Sequence, residues 1–135
     1  MTASTLTTFS SELADLVARA SASVVSVDGR HRRPGSGIII AADLVVTADH
    51  VLEREDSLAV RVDDRRLPAT IAGRDPASDV AVLRVGGLGG GEPARGVAPR
   101  VGQFVVSISR TASGGVSAGA GIINATGGPL RTGRS

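Results

Sequence analysis

The chain contains no cysteine and no lysine, and its only aromatic residues are Phe9 and Phe104. Without cysteine, neither a disulfide framework nor a thiolate metal site can form, so the fold depends on packing alone. With so few aromatic residues, the core must be built from valine, isoleucine, leucine and alanine. This composition favours short strands rich in β-branched residues.

Positive charge is carried entirely by fifteen arginines, and the formal net charge is only +2. Arg30, Arg32 and Arg33 form the only tight basic cluster, and almost no aromatic residues accompany the arginines to stack on bases. We therefore expect no nucleic-acid partner. An arginine-rich nucleic-acid binder is the least favoured hypothesis for the function of this chain. His31, inside the cluster, is interpreted as a solvated loop residue.

Hydrophobic runs long enough to span a bilayer are also absent from the sequence. The stretch from Met1 to Ser11 is polar and has neither a basic nor an apolar region of the kind found in secretory signals. These features predict a cytoplasmic protein with no membrane partner.

The length of 135 residues, 41% of them hydrophobic, suits one compact domain with an incomplete piece attached. Phe9, Leu13, Leu16 and Val17 recur at helical spacing, which predicts a helix over residues 10–20 with Ser10 or Ser11 as its N-cap. We divide the chain into an N-terminal helical segment (1–22), a first β-barrel (23–85), a glycine-rich linker (86–100) and a partial second β-barrel (101–135).

After the helical segment the hydrophobic period changes to that of strands. The connections carry turn residues, such as Asp28-Gly29 and Asp63-Asp64, and no helical crossover separates the strands. Six short strands of this kind predict an all-β fold built on an antiparallel barrel. They lie at Val24 to Val27, Gly37 to Ala41, Leu44 to Thr47, Leu58 to Val62, Pro68 to Gly73 and Val80 to Val85.

Two more strands are predicted beyond the linker, at Phe104 to Arg110 and Val116 to Ile123. They have the pattern of the opening strands of a second barrel. A two-stranded fragment rarely stands alone in water. Either this pair docks on the first barrel, or more chain is needed to complete it.

Two stretches carry residues suited to chemistry. The first runs from Gly35-Ser36-Gly37 through a buried strand to Thr47-Ala48-Asp49-His50-Val51, so that a histidine follows directly where the strand ends. The second is Asp75-Pro76-Ala77-Ser78-Asp79-Val80-Ala81-Val82-Leu83, which places a carboxylate at the start of an apolar strand. A rigid strand end followed by a loop is a common way to present a reactive side chain.

Together these stretches resemble the HtrA branch of the trypsin-like serine proteases. The family has a Gly-Ser-Gly strand leading to Thr-x-x-His-Val, and later an Asp followed by Leu/Val-Ala-Val-Leu; the stretch 102–108 is similar to a further strand of the family. The resemblance implies that His50 is the general base and that Asp79 orients it. Histidine titrates near neutral pH, so it can take a proton from a serine hydroxyl and return it to the leaving amine.

Other candidates for these roles are explained more simply. Asp75 precedes Pro76 and is interpreted as a turn residue. Asp49 departs from the family, which commonly has an amide or a small residue there. Its charge either faces the site and raises the proton affinity of the imidazole, or points into water.

The family's nucleophile lies in Gly-x-Ser-Gly-Gly-Pro, and the sequence has no match to it. Thr126 precedes Gly127-Gly128-Pro129 but is not a serine. Ser113 precedes Gly114-Gly115 but lacks the leading glycine and the trailing proline. Both come too soon after Asp79 for a second barrel to be built before them, so we expect neither to act as the nucleophile.

The main hypothesis is a serine endopeptidase of the HtrA type, acting on polypeptide substrates and inactive as this chain alone. The alternative is a non-catalytic pseudoprotease that binds peptides or a partner, with exposed strand edges that allow self-association or pairing with a complementing chain. We expect no metal and no other cofactor. The trypsin-like fold expected here is a six-stranded antiparallel barrel with a short N-terminal helix and the first strands of an incomplete second barrel.

Overall fold

The computed structural model describes residues 4–30, 33–91 and 96–127. Within these residues the chain forms a helix, a six-stranded barrel with a short 3₁₀ turn, and a two-stranded sheet. In chain order the elements are α1 Thr5–Ser21, β1 Val24–Asp28, β2 Gly35–Ala41, β3 Leu44–Thr47, the 3₁₀ turn Asp49–Val51, β4 Leu58–Val62, β5 Arg65–Asp75, β6 Val80–Val85, β7 Phe104–Arg110 and β8 Val116–Ile122.

Helix α1 begins well before the predicted start. Ser4 has an extended backbone, and its hydroxyl accepts a hydrogen bond from the backbone N–H of Thr7 at 3.1 Å. This is the geometry of an N-cap, so the prediction of a cap at Ser10 or Ser11 was wrong and both serines lie inside the helix. The helix packs on β7, where the rings of Phe9 and Phe104 meet edge to face with 5.5 Å between their centroids.

The barrel pairs its strands in the order β1-β2-β3-β6-β5-β4, and β1 pairs with β4 to close it. Every pairing is antiparallel, which confirms the predicted six-stranded antiparallel barrel. Strand β5 is longer than predicted because its first residues pair with β4 across a tight turn at residues 63–64. The fully buried large side chains come from five strands: Val27, Ile39, Val45, Val60, Leu83 and Val85.

Two glycines of β2 allow neighbouring side chains to pack closely against this strand. A Cβ built on Gly37 would lie 2.6 Å from Cγ1 of Val45, and one built on Gly35 would lie 2.6 Å from Cγ1 of Val51. Real Cβ atoms do not approach other atoms so closely. The Gly-Ser-Gly sequence of this strand therefore has a packing reason, and Gly35 leaves room for the residue that follows His50.

Strands β7 and β8 form a hairpin that docks on the first barrel, which answers the question that the sequence left open. The backbone N–H of Arg110 donates to the hydroxyl of Ser36 at 2.9 Å, and the Arg110 guanidinium donates to the backbone carbonyls of Ser21 and Val24 at 2.6 and 2.7 Å. The outer strand of this hairpin is exposed at every residue.

Part of the segment after β6 packs against the barrel. Leu88 is 3% exposed and belongs to the hydrophobic core, and the carbonyl of Gly87 accepts a hydrogen bond from Arg65 at 2.9 Å. The domain boundaries given above stay predictions. Among the described residues, no helix has the length and apolar content needed to cross a bilayer.

Candidate active site

The pairing of β3 with β6 brings the two motif regions to the same rim of the barrel. In the antiparallel register, Thr47 at the end of β3 lies opposite Ala81 near the start of β6. His50 comes three residues after Thr47, in the 3₁₀ turn, and Asp79 directly precedes β6. Residues 29 positions apart in the sequence are therefore neighbours at this rim.

The carboxylate of Asp79 accepts two hydrogen bonds from His50. Its Oδ2 lies 2.6 Å from Nδ1 of the imidazole, and its Oδ1 accepts the backbone N–H of His50 at 2.8 Å. The backbone carbonyl of Asp79 accepts a third bond, from the N–H of Asp49 at 3.1 Å. An ionised carboxylate only accepts, so of the two tautomers of a neutral imidazole it favours the one with the proton on Nδ1, in which Nε2 has a free lone pair.

The backbone of Asp79 is unusual, with a φ of 58° in the left-handed region. Asp and Asn adopt this region more readily than other residues with a side chain. The backbone N–H of His50 and then the His50 ring hold the pKa of Asp79 below its usual range, and they outweigh the opposing effect of desolvation. The carboxylate is therefore ionised at neutral pH.

The imidazole is accessible from solvent. The side chain of His50 is 66% exposed and that of Asp79 is 31% exposed. An open groove of about 400 Å³ reaches Asp79 from one side, and it is lined mainly by residues of β2 and β3 together with Ile108 of β7. The imidazole is therefore open to solvent, and the groove adds open space next to Asp79.

Asp49 is buried and paired with an arginine. Its carboxylate accepts a hydrogen bond from Nε of Arg74 at 2.6 Å, and the residue is only 9% exposed. The expectation that Asp49 points into water is thus wrong, because the carboxylate is paired with Arg74. The bond to Asp49 raises the pKa of Arg74 above its ordinary value. Sequence reasoning missed Arg74, although it lies in the stretch that leads to Asp79.

The remaining candidates have local roles or lie outside the described residues. Asp75 accepts hydrogen bonds from the N–H of Ala77 at 3.2 Å and the hydroxyl of Ser78 at 2.7 Å, which confirms it as a turn residue. His31 lies outside the described residues, and so do Gly128 and Pro129 of the glycine-rich tail.

No nucleophile is paired with His50 in the described part of the chain. The hydroxyl of Ser113 is 3.1 Å from that of Thr111, in the connection between β7 and β8. Thr126 follows β8 and is exposed. Across residues 4–30, 33–91 and 96–127, no hydroxyl makes a hydrogen bond with the His50 ring. The same residues contain no group of three or more side chains placed to hold a metal ion.

A closed six-stranded antiparallel barrel with a hydrogen-bonded histidine and aspartate at one rim is the architecture of the first half of a trypsin-like serine protease. The family model for the trypsin-like peptidase domain matches residues 35–134. The chain belongs to this family, in its DegP/HtrA branch.

Relatives of this chain are named as serine endoproteases. A probable periplasmic DegP-like serine endoprotease of Ectopseudomonas mendocina (strain ymp) is 41% identical over 106 residues, covering 73% of this chain and 22% of the relative. The periplasmic serine endoprotease DegP of Escherichia coli (strain K12) is 35% identical over 99 residues, covering 69% of this chain and 21% of the relative. This chain thus spans about a fifth of the length of these relatives.

Solved structures of proteases share the fold. The inactive form of the Rv3671c protease has a TM-score of 0.71 and 29% identity, covering 85% of this chain and 59% of that structure. A serine endoprotease from Yersinia pestis also has a TM-score of 0.71, with 28% identity and coverage of 82% and 45%. The periplasmic names of the curated relatives do not agree with the cytoplasmic location expected from the sequence.

Proposed function

We propose that this chain supplies the general base and its orienting carboxylate to a serine endopeptidase, with His50 as the base and Asp79 as the orienting residue. The observation that carries the proposal is the double contact of the Asp79 carboxylate with the ring and the backbone N–H of His50. The serine nucleophile and the oxyanion hole come from outside the described residues.

In this proposal, Nε2 of His50 takes the proton of a serine hydroxyl as the serine oxygen attacks the carbonyl carbon of a peptide bond. Asp79 stabilises the imidazolium that forms, and the imidazolium then donates its proton to the leaving amine. A water molecule, activated by the same nitrogen, hydrolyses the acyl-enzyme. The substrate is a polypeptide, as the names of the relatives indicate.

The 135-residue chain alone is expected to be inactive, because a base without a nucleophile cannot form an acyl-enzyme. A fluorophosphonate probe, which labels an activated serine, tests this. We expect no labelling of the chain alone. Labelling at Ser113 or any other serine of the chain would contradict the assignment of the nucleophile to another segment.

The same probe tests the proposed activity in the chain extended by the coding sequence that follows Ser135. We expect a Gly-x-Ser-Gly-Gly-Pro segment there, whose serine is labelled in the parent protein and is not labelled after the substitution His50→Ala. Labelling that survives this substitution, or an extension without such a segment, would contradict the proposal and favour the pseudoprotease.

For the compartment, the periplasmic names of the relatives outweigh the cytoplasmic expectation. We propose that the protein acts outside the cytoplasm. Fractionation of cells expressing the natural gene tests this, and recovery of the full-length protein in the cytoplasmic fraction alone would contradict it.

The non-catalytic alternative is favoured by one observation. Strand β8 is exposed at all its residues, including Val116 and Ile122, and within the described residues it pairs only with β7. An unpaired strand edge can bind a second copy or an extended peptide. Sedimentation of the chain over a range of concentrations tests self-association, and a monomer at all concentrations would contradict pairing between copies.

A further inference from the structure

Asp49, the residue before His50, is bound by an arginine of strand β5. Its Oδ1 lies 2.6 Å from Nε of Arg74, whose side chain is 28% exposed. The guanidinium also donates to the backbone carbonyl of Leu52 at 3.3 Å, and its Nη1 lies 3.7 Å from a carboxylate oxygen of Glu55. One arginine therefore holds both the start of the 3₁₀ turn and the residue that follows it.

Strand pairing places Arg74 at the same rim of the barrel as the 3₁₀ turn. Arg74 of β5 lies opposite Ala81 of β6, and Ala81 in turn lies opposite Thr47 of β3. The three strands thus end at one rim in a fixed register. From β5, the Arg74 side chain reaches the turn that follows β3.

The turn is consequently held by two sets of contacts. Asp79 accepts the backbone N–H groups of Asp49 and His50. Arg74 binds the Asp49 side chain and the carbonyl of Leu52. Since the imidazole projects from the middle residue of this three-residue turn, a shift of the turn would move Nδ1 relative to Asp79.

The same pair also balances charge beside the imidazole. The charged groups around the turn are Asp79 before β6, Asp49 in the turn itself, Arg74 on β5 and Glu55 after the turn. A free Asp49 carboxylate would favour the imidazolium, whereas a free Arg74 would oppose it. Paired at 2.6 Å, Asp49 and Arg74 together carry no net charge, and Asp79 is the carboxylate in direct contact with the ring.

We infer that Asp49 and Arg74 are a positioning pair for His50, holding the turn that aims the imidazole at Asp79 and cancelling the charge that Asp49 would otherwise place beside it. This inference rests on the proposed function, in which His50 is the base. It assigns both residues a role that acts through the turn.

The test compares Asp49→Asn, Arg74→Gln and the double variant with the parent 135-residue chain, using NMR of the imidazole nitrogens and of the Nδ1 proton. His31→Gln is present in every sample, so that the signals belong to His50. The pH midpoint of the ring signals is expected to rise in Arg74→Gln and to fall in Asp49→Asn, each on the order of half a pH unit. The double variant is expected to return near the parent midpoint, and Arg74→Lys to lie close to the parent.

A purely structural ion pair gives a different result. In that case both single variants move the midpoint in the same direction, in proportion to the stability lost in urea unfolding, and the double variant moves it further. That result, or no movement in either single variant, would overturn the inference.

The experiments distinguish a failure of the proposed function from a failure of the positioning role. If the parent shows the Nδ1 contact and the variants shift as expected, but the extended protein with its serine is not labelled by fluorophosphonate, the positioning role stands and the catalytic proposal fails. If the extended protein is labelled and the midpoints do not move, the positioning role alone fails.

Discussion

Both oxygens of the Asp79 carboxylate bind His50, one at the ring and one at the backbone N–H, at 2.6 and 2.8 Å. A single side chain thus fixes both the direction of the imidazole and the position of the backbone that carries it. Asp79 has a left-handed φ of 58° and lies where the chain enters β6.

The substitution Asp79→Asn separates the chemistry of this contact from its shape. Asparagine tolerates the left-handed backbone, but its amide group has one acceptor oxygen and donates at the other position. We expect NMR spectra of this variant to show a folded barrel and to lack the Nδ1 proton signal of His50. In the extended protein with its serine we expect kcat to fall by roughly 10⁴-fold, because the wrong tautomer is favoured.

The matched control is Asp43→Asn. Asp43 lies at the opposite end of β3, where it pairs with Arg84 on the exposed surface. We expect this variant to keep the Nδ1 signal and the parent kcat. An Asp79→Asn variant that behaves like the control would show that Asp79 does not orient the base.

Acid stability gives a test that needs no catalysis. The lowered pKa of Asp79 in the folded chain means that the ionised carboxylate stabilises the fold above its unfolded pKa, about 3.9. That contribution is lost as the pH falls through the folded value. We therefore expect the difference in unfolding free energy between the parent and Asp79→Asn to be constant near pH 5 and to shrink toward pH 3, measured by urea unfolding at each pH.

Asp28 contributes to the acid stability of both proteins and cancels in this difference. Partial burial raises the pKa of Asp28, but hydrogen bonds and charge from Arg66 and Arg54 together outweigh it, and the net direction is downward. A difference between parent and variant that stays constant down to pH 3 would contradict the lowered pKa of Asp79.

The barrel strands could be predicted because the signals for each strand lie within a short stretch of sequence. Alternating apolar residues and turn pairs define the strands. The pairing of His50 with Asp79 is what the resemblance of two motifs to the HtrA branch implies. The ion pair of Asp49 with Arg74 was not predictable in this way, since it depends on the register of β5 against β6. The start of α1 was missed because the helical spacing of apolar residues begins at Phe9, whereas the cap is set by Ser4.

Gly35 couples strand β2 to the turn that carries His50. A Cβ at position 35 would lie 2.6 and 2.7 Å from the two Cγ atoms of Val51. We expect Gly35→Ala to displace the turn, to lower the unfolding free energy by about 1–3 kcal/mol and to weaken the Nδ1 signal. Urea unfolding and NMR of the same samples measure both effects.

The control for this substitution is Gly73→Ala, in β5, where an added Cβ would meet nothing within 4 Å. A second variant, Gly35→Ala with Val51→Ala, removes the atoms that clash. We expect Val51→Ala to cost less in the Gly35→Ala background than in the parent, because it relieves the overlap. Additive costs would show that the two positions do not contact each other as described.

Arg110 fastens the β7–β8 hairpin to the rest of the chain. Its guanidinium donates to the carbonyls of Ser21 and Val24 at 2.6 and 2.7 Å and to that of Gly114 at 3.3 Å. The bond to Ser21 also places a cation at the C-terminus of α1, where the helix dipole favours positive charge. Lysine cannot make this set of bonds, because its ammonium group is a single point rather than a planar fork.

We therefore expect Arg110→Ala to release the hairpin and leave the barrel folded. In hydrogen exchange, amides of β7 and β8 should lose protection while those of β6, around the fully buried Leu83, keep it. Arg110→Lys should show an intermediate loss, and the surface control Arg84→Ala should show none. Equal loss of protection in the hairpin and in β6 would mean that the two unfold as one unit. In that case Arg110 does not hold the hairpin independently of the stability of the barrel.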